Sequence, residues 1–121
     1  LQAFGNVRSS GIIAVVLDED DRLIEVRITD GSEHVILATA MGQGIRFSES
    51  RIRAMGRVSR GVKGITLRRW DSVVSMTTVS VDSEALVLTV TERGYGKLSR
   101  LAQFPVRNRG GVGVLTARLG E

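Results

Sequence analysis

At residues 56–67 the chain reads GRVSRGVKGITL, a basic loop punctuated by glycines that runs straight into an apolar alternating stretch. Weaker copies of this arrangement stand at residues 8–17 and 109–116, one on either side of it. A sequence pattern that recurs from one end of a chain to the other is typical of repeat proteins. We therefore interpret residues 56–67 as the joint between two units of a short array.

The spacing of the glycines supports a repeat. When Gly11, Gly61 and Gly110 are placed at equivalent positions, the steps between them are 50 and 49 residues. A second match pairs the GQG of residues 42–44 with the GYG of residues 94–96, at a step of 52. A period near fifty indicates a propeller or a solenoid, in which each unit buries its apolar face against its neighbours.

Within each unit the pattern predicts β-strands. Residues 12–17 form an apolar run short enough for a buried strand, and residues 23–29 alternate apolar with mostly charged side chains. The other predicted strands are 35–40, a short strand through Ile45 and Phe47, 73–79, 85–91 and 97–98. Single helical turns are predicted only within residues 49–55 and 100–104. The fold class is therefore all-β, with four short antiparallel strands per unit.

Residues 1–121 hold about two such units and part of a third, with joints near residues 5–17, 56–67 and 107–117. Propellers close with about four to eight blades, so we interpret the chain as a fragment of a larger ring. Its end blades are expected to expose apolar faces and strand edges. Neighbouring blades or self-association would cover them.

The charge is distributed unevenly. Residues 1–40 hold three basic and seven acidic residues, whereas residues 41–121 hold fourteen basic and six acidic ones. A basic half of this kind is where a polyanion would bind. The chain has no cysteine, which excludes disulfides and thiolate metal sites, and it has no apolar run of the roughly 20 residues that a membrane span needs.

Seven short segments are recognisable in their order and spacing: IIAVVL at 12–17, ITDGS at 28–32, RAMGR at 53–57, GVKGI at 61–65, DSVVS at 71–75, TVTERGYGK at 89–97 and FPV at 104–106. Together they resemble the C-terminal domain of the DNA gyrase A subunit family. The corresponding domain of topoisomerase IV is the close alternative. The family's signature heptapeptide is QRRGGKG. The corresponding segment here is RNRGGVG at 107–113, which keeps the second arginine and all three glycines.

The resemblance implies a β-pinwheel, a propeller-like ring of four-stranded blades that exchange strands and wrap duplex DNA on a basic rim. It implies part of an ATP-dependent type II DNA topoisomerase, with ATP and Mg²⁺ bound only in other parts of the holoenzyme. The implied partners are double-stranded DNA, the rest of the A subunit and the ATPase B subunit, in the bacterial cytoplasm and associated with the nucleoid. The rival interpretation is a β-repeat module that binds an acidic protein surface.

A DNA-wrapping rim needs lysines and arginines at blade spacing to replace condensed counterions. The expected phosphate contacts are Arg57, Arg60 and Lys63 in the central joint, Arg107 and Arg109 in the last, Arg8 in the first, and Arg46, Arg53, Lys97 and Arg100 on outer loops of the blades. The alternative for each is a solvated surface charge. Three Phe, one Tyr and one Trp are too few for a stacking platform, so binding to the duplex backbone is favoured.

Four features that could suggest another chemistry have simpler interpretations. Tyr95 has no cluster of metal-binding carboxylates beside it in sequence, and the resemblance places the nucleophilic tyrosine in a separate domain. The acidic run at 18–21 lacks the spacing of a calcium loop. His34 has no second histidine, so a surface or edge position is expected, and Trp70 is expected to cover Arg68 or Arg69. We predict no catalytic and no metal-binding residue.

Overall fold

The computed structural model describes residues 4–6 and 8–119. Val7, which falls in the first predicted joint, and both ends of the predicted domain 1–121 lie outside the described residues. The elements are β1 (His34–Thr39), β2 (Gln43–Ser48), β3 (Val73–Val79), β4 (Leu86–Val90), β5 (Gly96–Arg100) and β6 (Val114–Leu115), with short 3-10 helices at Glu49–Arg51 and Leu101–Gln103. None of the described helices is long and apolar enough to cross a membrane. The all-β prediction is confirmed, and so are the two single helical turns.

The main sheet has four antiparallel strands in the order β3-β1-β2-β6. In it β1 pairs with β2 from Ala38↔Gly44 to His34↔Ser48. On one side β3 pairs with β1, and on the other β6 pairs with β2. The hairpin comes from the first unit, β3 from the second and β6 from the opening of the third. Strands are therefore exchanged between units, as the resemblance implied.

Apolar side chains cover both faces of this sheet, since strand residues alternate between faces. Val35, Ile45 and Phe47 pack on one face with Ile65 from the central joint. On the other face Ile36 packs with two residues of the connection after β5, Leu101 and Phe104. The core of the sheet thus depends on segments from later units.

Two predicted strands are not strands in the structure. Residues 12–17 and 23–29 have no regular pairing, and Val26 and Ile28 of the second segment are 67% and 81% exposed. Residues 23–29 are the counterpart of β3, which becomes a strand by pairing with β1. Among the described residues no hairpin stands in that position beside 23–29, so the alternating pattern has nothing to pair with.

The second unit also leaves one face uncovered, while Val87 on the opposite face packs against Ile36, Leu101 and Phe104. Its hairpin, β4 and β5, forms a separate two-stranded sheet, and Leu88 and Leu98, which pair across it, are 64% and 60% exposed. Isolated two-stranded hairpins are marginally stable in water. The expectation that the end blades expose apolar faces is confirmed.

Candidate nucleic-acid interface

The central and last joints lie side by side. The amide of Gly110 donates to the carbonyl oxygen of Gly64 at 2.7 Å, and the amide of Thr66 donates to that of Gly111 at 2.8 Å. Arg109 reinforces this contact, because its Nη1 donates to the carbonyl oxygen of Lys63 at 3.2 Å and its Nε to that of Arg51 at 2.9 Å. The guanidinium of Arg109 is therefore engaged in holding the joints together.

The first and central joints are connected in a similar way. The amide of Val16 donates to the carbonyl oxygen of Ser59 at 3.1 Å, and Nη1 of Arg57 donates to that of Ile13 at 3.3 Å. Arg60 forms an exposed ion pair with Asp18. The three copies of the basic joint thus lie next to one another in series, with arginines crossing between them.

Seven of the ten predicted residues are exposed, and one of them, Arg60, is in the ion pair with Asp18. We call the other six the rim set: Arg8, Arg53, Lys63, Lys97, Arg100 and Arg107. Arg8 begins the turn that the amide of Gly11 closes. The predicted position of Lys97 and Arg100 on outer loops is wrong, since both lie in the strand β5. There Nζ of Lys97 donates to the carbonyl oxygen of Thr116 at 3.3 Å. These side chains can reach a polyanion, whereas Arg57, Arg60 and Arg109 are shared with the protein itself.

The predicted position of Arg46 on an outer loop is wrong. Arg46 lies within β2 and is 8% exposed. Its Nε donates to Nδ1 of His34 at 3.0 Å, and its Nη1 donates to the carbonyl oxygens of Leu101 at 3.3 Å and Phe104 at 3.5 Å. The 3-10 helix after β5 covers this face of the sheet, so Arg46 joins the two units internally and we remove it from the candidate interface.

The expected surface or edge position of His34 is also wrong, since this side chain is buried at 7% exposure. Burial, and next the charge of Arg46, lower the pKa of His34 from its usual value of 6.5. A neutral Nδ1 is the acceptor that the bond from Arg46 requires. The pair is a structural contact between neutral imidazole and guanidinium.

The chain is expected to lose stability as the pH falls below about 6.5. In the unfolded state His34 takes up a proton near its ordinary pKa, while the folded state resists protonation, so the free energy of unfolding decreases with falling pH. The carboxyl pKa values lowered from 3.8, those of Asp30 and Asp71, lie below this range. Urea unfolding at pH 7.5 and 5.5 measures the effect, and His34→Gln should flatten it. An equal pH dependence in both proteins would contradict this role.

Sequence reasoning missed Arg51. It lies in the 3-10 helix after β2, and it lines an open groove together with Ser48, Ser50, Arg107 and Asn108. The only signal in the sequence was an arginine directly after two serines and an acid. Nothing in that pattern shows that the last joint would be placed opposite it.

Sequence reasoning also missed a cluster of Asp30, Glu33 and Glu49, whose ligand atoms lie within 4.8 Å of one another. Glu49 accepts hydrogen bonds from the Glu33 amide at 2.8 Å and from the Thr29 hydroxyl. Hydrogen bonds from the amide and hydroxyl of Ser32 lower the pKa of Asp30. These hydrogen bonds give the carboxylates a structural role, which is to hold the loop before β1 in place.

Trp70 lies under a guanidinium, as predicted. The Cζ atom of Arg69 is 5.1 Å from the centroid of the indole ring, and the tryptophan is otherwise 84% exposed. An exposed cation–π contact of this kind contributes about 0.5–1 kcal/mol. The pair is therefore a surface contact.

Comparison with known proteins gives a consistent result. A family model described as "DNA gyrase C-terminal domain, beta-propeller" matches residues 2–30, 33–80 and 85–121. The DNA gyrase A subunit of Staphylococcus epidermidis is 46% identical over 121 residues, and that of Haloquadratum walsbyi is 43% identical over the same length. Each alignment spans 100% of this chain and 14% of the relative.

Two solved structures share the fold. The crystal structure of the C-terminal domain of DNA topoisomerase IV has a TM-score of 0.86 at 30% identity, over 94% of this chain and 35% of that one. The structure of the DNA gyrase A C-terminal domain has a TM-score of 0.78 at 28% identity, over 87% of this chain and 35% of that one. Both matches confirm the all-β, propeller-like fold.

Proposed function

The chain belongs to the DNA gyrase C-terminal domain family, and we propose that it is a DNA-wrapping segment of the A subunit of a type IIA topoisomerase. It would bind the phosphates of duplex DNA, without reading the bases, and so support supercoiling by the holoenzyme. The observation that carries this proposal is the series of adjacent basic joints, each presenting exposed cations. Cations repeated along a surface replace the counterions of DNA and bind it independently of sequence.

The exposure of the rim set supports binding to the DNA backbone. Lys63 and Arg107 belong to neighbouring joints, and Arg53 and Arg100 stand on the blades beside them. Phosphate contacts of this kind position a protein on DNA but carry no sequence information. The binding should therefore tolerate any sequence and depend strongly on salt.

The remaining parts of the proposal concern the holoenzyme. Its other partners would be the rest of the A subunit and the ATPase B subunit, with ATP and Mg²⁺ bound there, in the bacterial cytoplasm near the nucleoid. The TM-score of 0.86 to the topoisomerase IV domain favours keeping that enzyme as a second candidate parent. Both candidates assign the same DNA-binding role to this chain.

A gel-shift assay at low salt tests the proposal. The full chain is expected to retard a duplex of about one hundred base pairs more strongly than a short one, because a longer duplex can contact more of the rim set. An acidic peptide is the competing ligand for the rival interpretation as a protein-interaction module. Retention of the peptide with no retardation of any duplex would contradict the proposal and support that rival.

A further inference from the structure

A solvent-open groove of about 600 Å³ lies between the end of β2 and the entrance to the last joint. It is lined by Ser48, Ser50, Arg51, Val106, Arg107 and Asn108. The lining thus offers two guanidinium groups, two hydroxyls and one amide, with a single aliphatic side chain. One wall comes from the first unit and the other from the third.

Both walls of the groove are fixed to the same sheet. The amide of Arg107 donates to the carbonyl oxygen of Arg46 at 2.8 Å, and Val106 forms a parallel bridge with Arg46. On the opposite wall, the carbonyl oxygen of Arg51 accepts the 2.9 Å bond from Nε of Arg109. The spacing of the walls is therefore set by hydrogen bonds between units, which preorganises the groove.

The residues that line the groove carry two positive charges, those of Arg51 and Arg107. Glu49 is the one acidic residue between Ser48 and Arg51, and its carboxylate accepts hydrogen bonds from Glu33 and Thr29 on the loop before β1. No carboxylate is among the lining residues in the described part of the chain. Arg51 and Arg107 are exposed there, and neither is in an ion pair among the described residues.

We propose that this groove binds one phosphate group, and that in the working protein this phosphate belongs to the backbone of duplex DNA. Guanidinium groups bind phosphate with two parallel hydrogen bonds, and serine hydroxyls and amides are common further donors to phosphate oxygens. The assignment to DNA rests on the proposed function. The groove makes Arg51 a candidate phosphate contact outside the rim set, and it makes the contact depend on two units at once.

The test compares two variants with the same change in charge. Arg51→Gln with Arg107→Gln removes the guanidinium groups of the groove, and Arg22→Gln with Arg27→Gln removes two exposed arginines from the acidic first forty residues. The groove variant is expected to bind a long duplex about tenfold or more weakly and to reduce the salt slope by about 2. The control variant is expected to bind like the wild type.

A second readout needs no DNA. In NMR titrations of the wild type with inorganic phosphate, the amide signals of Ser50 and Asn108 should shift saturably, and the groove variant should lose this response. Equal thermal unfolding of both variants shows that folding is intact. A variant with lysine at both arginine positions keeps the charge but not the planar fork, and should recover only part of the affinity.

The outcomes separate this inference from the proposed function. If the wild type binds duplex DNA and the groove variant binds it equally well, with no phosphate response, the groove assignment is wrong and the proposed function stands. If phosphate shifts Ser50 and Asn108 but DNA does not bind, the groove holds free phosphate and the proposed function fails. If neither ligand is bound, both are wrong.

Discussion

Replacing Gly113 by alanine is expected to lower the free energy of unfolding by about 3 kcal/mol or more. Gly113 has a φ of +78°, and a Cβ atom there would lie 2.3 Å from the carbonyl oxygen of Gly44. The left-handed conformation accounts for about 1–2 kcal/mol of the loss. The rest arises because β6 must move away from β2, which breaks the Gly44↔Val114 pairing that joins the third unit to the first.

Gly94→Ala is the matched control. Gly94 also has a positive φ, of +85°, but no atom lies within 4 Å of the Cβ position. It should lose only the conformational part, about 1–2 kcal/mol. Denaturant unfolding of the wild type and the two variants gives the comparison. Equal losses would mean that the close approach of the backbones at Gly113 contributes nothing to the exchange of strands.

Arg46→Met is expected to lower the free energy of unfolding by about 2–3 kcal/mol while leaving DNA affinity unchanged. Methionine keeps the packing of the aliphatic stem but donates no hydrogen bond. The buried Nδ1 of His34 and the carbonyl oxygen of Phe104 then lose the donor that Arg46 supplies, whereas the carbonyl oxygen of Leu101 keeps its bond from the Phe104 amide. Each unsatisfied buried acceptor costs about 1–3 kcal/mol. Removal of a buried charge offsets part of this loss.

Arg53→Met is the control for Arg46→Met, because Arg53 is an exposed member of the rim set. It should change stability by less than about 0.5 kcal/mol and should weaken duplex binding. The two variants therefore have opposite expected effects in the two assays. A loss of DNA affinity in Arg46→Met at full stability would restore Arg46 to the interface and contradict the interior role.

The sequence predicted the strands that have partners. The bounds predicted for 73–79 are those of β3, because this segment pairs with β1 along its length, with one register shift between Ala38 and Thr39. The equally clear pattern at 23–29 did not form a strand. A strand is defined by hydrogen bonds to a neighbouring strand. The alternation of apolar and polar residues indicates only which side chains would face the core if that neighbour were present.

The candidate site was predictable in its overall charge but not in the role of each residue. Alternation in the sequence Ile45, Arg46, Phe47 predicts that the arginine faces solvent when the two apolar side chains face the core. That inference assumes a sheet with one covered face. Here Leu101 and Phe104 cover the second face, and they come from a unit more than fifty residues later. Contacts over that distance are set by the fold.

The salt dependence of duplex binding tests the central claim most directly. Each phosphate contact contributes about −0.9 to the slope of log K against log salt concentration, so the six cations of the rim set predict a wild-type slope near −5. Arg53→Gln with Lys63→Gln should reduce its magnitude by about 2, and the control Arg22→Gln with Arg27→Gln should leave it unchanged. A wild-type slope near zero, or equal slopes in the two variants, would contradict DNA binding through the rim set.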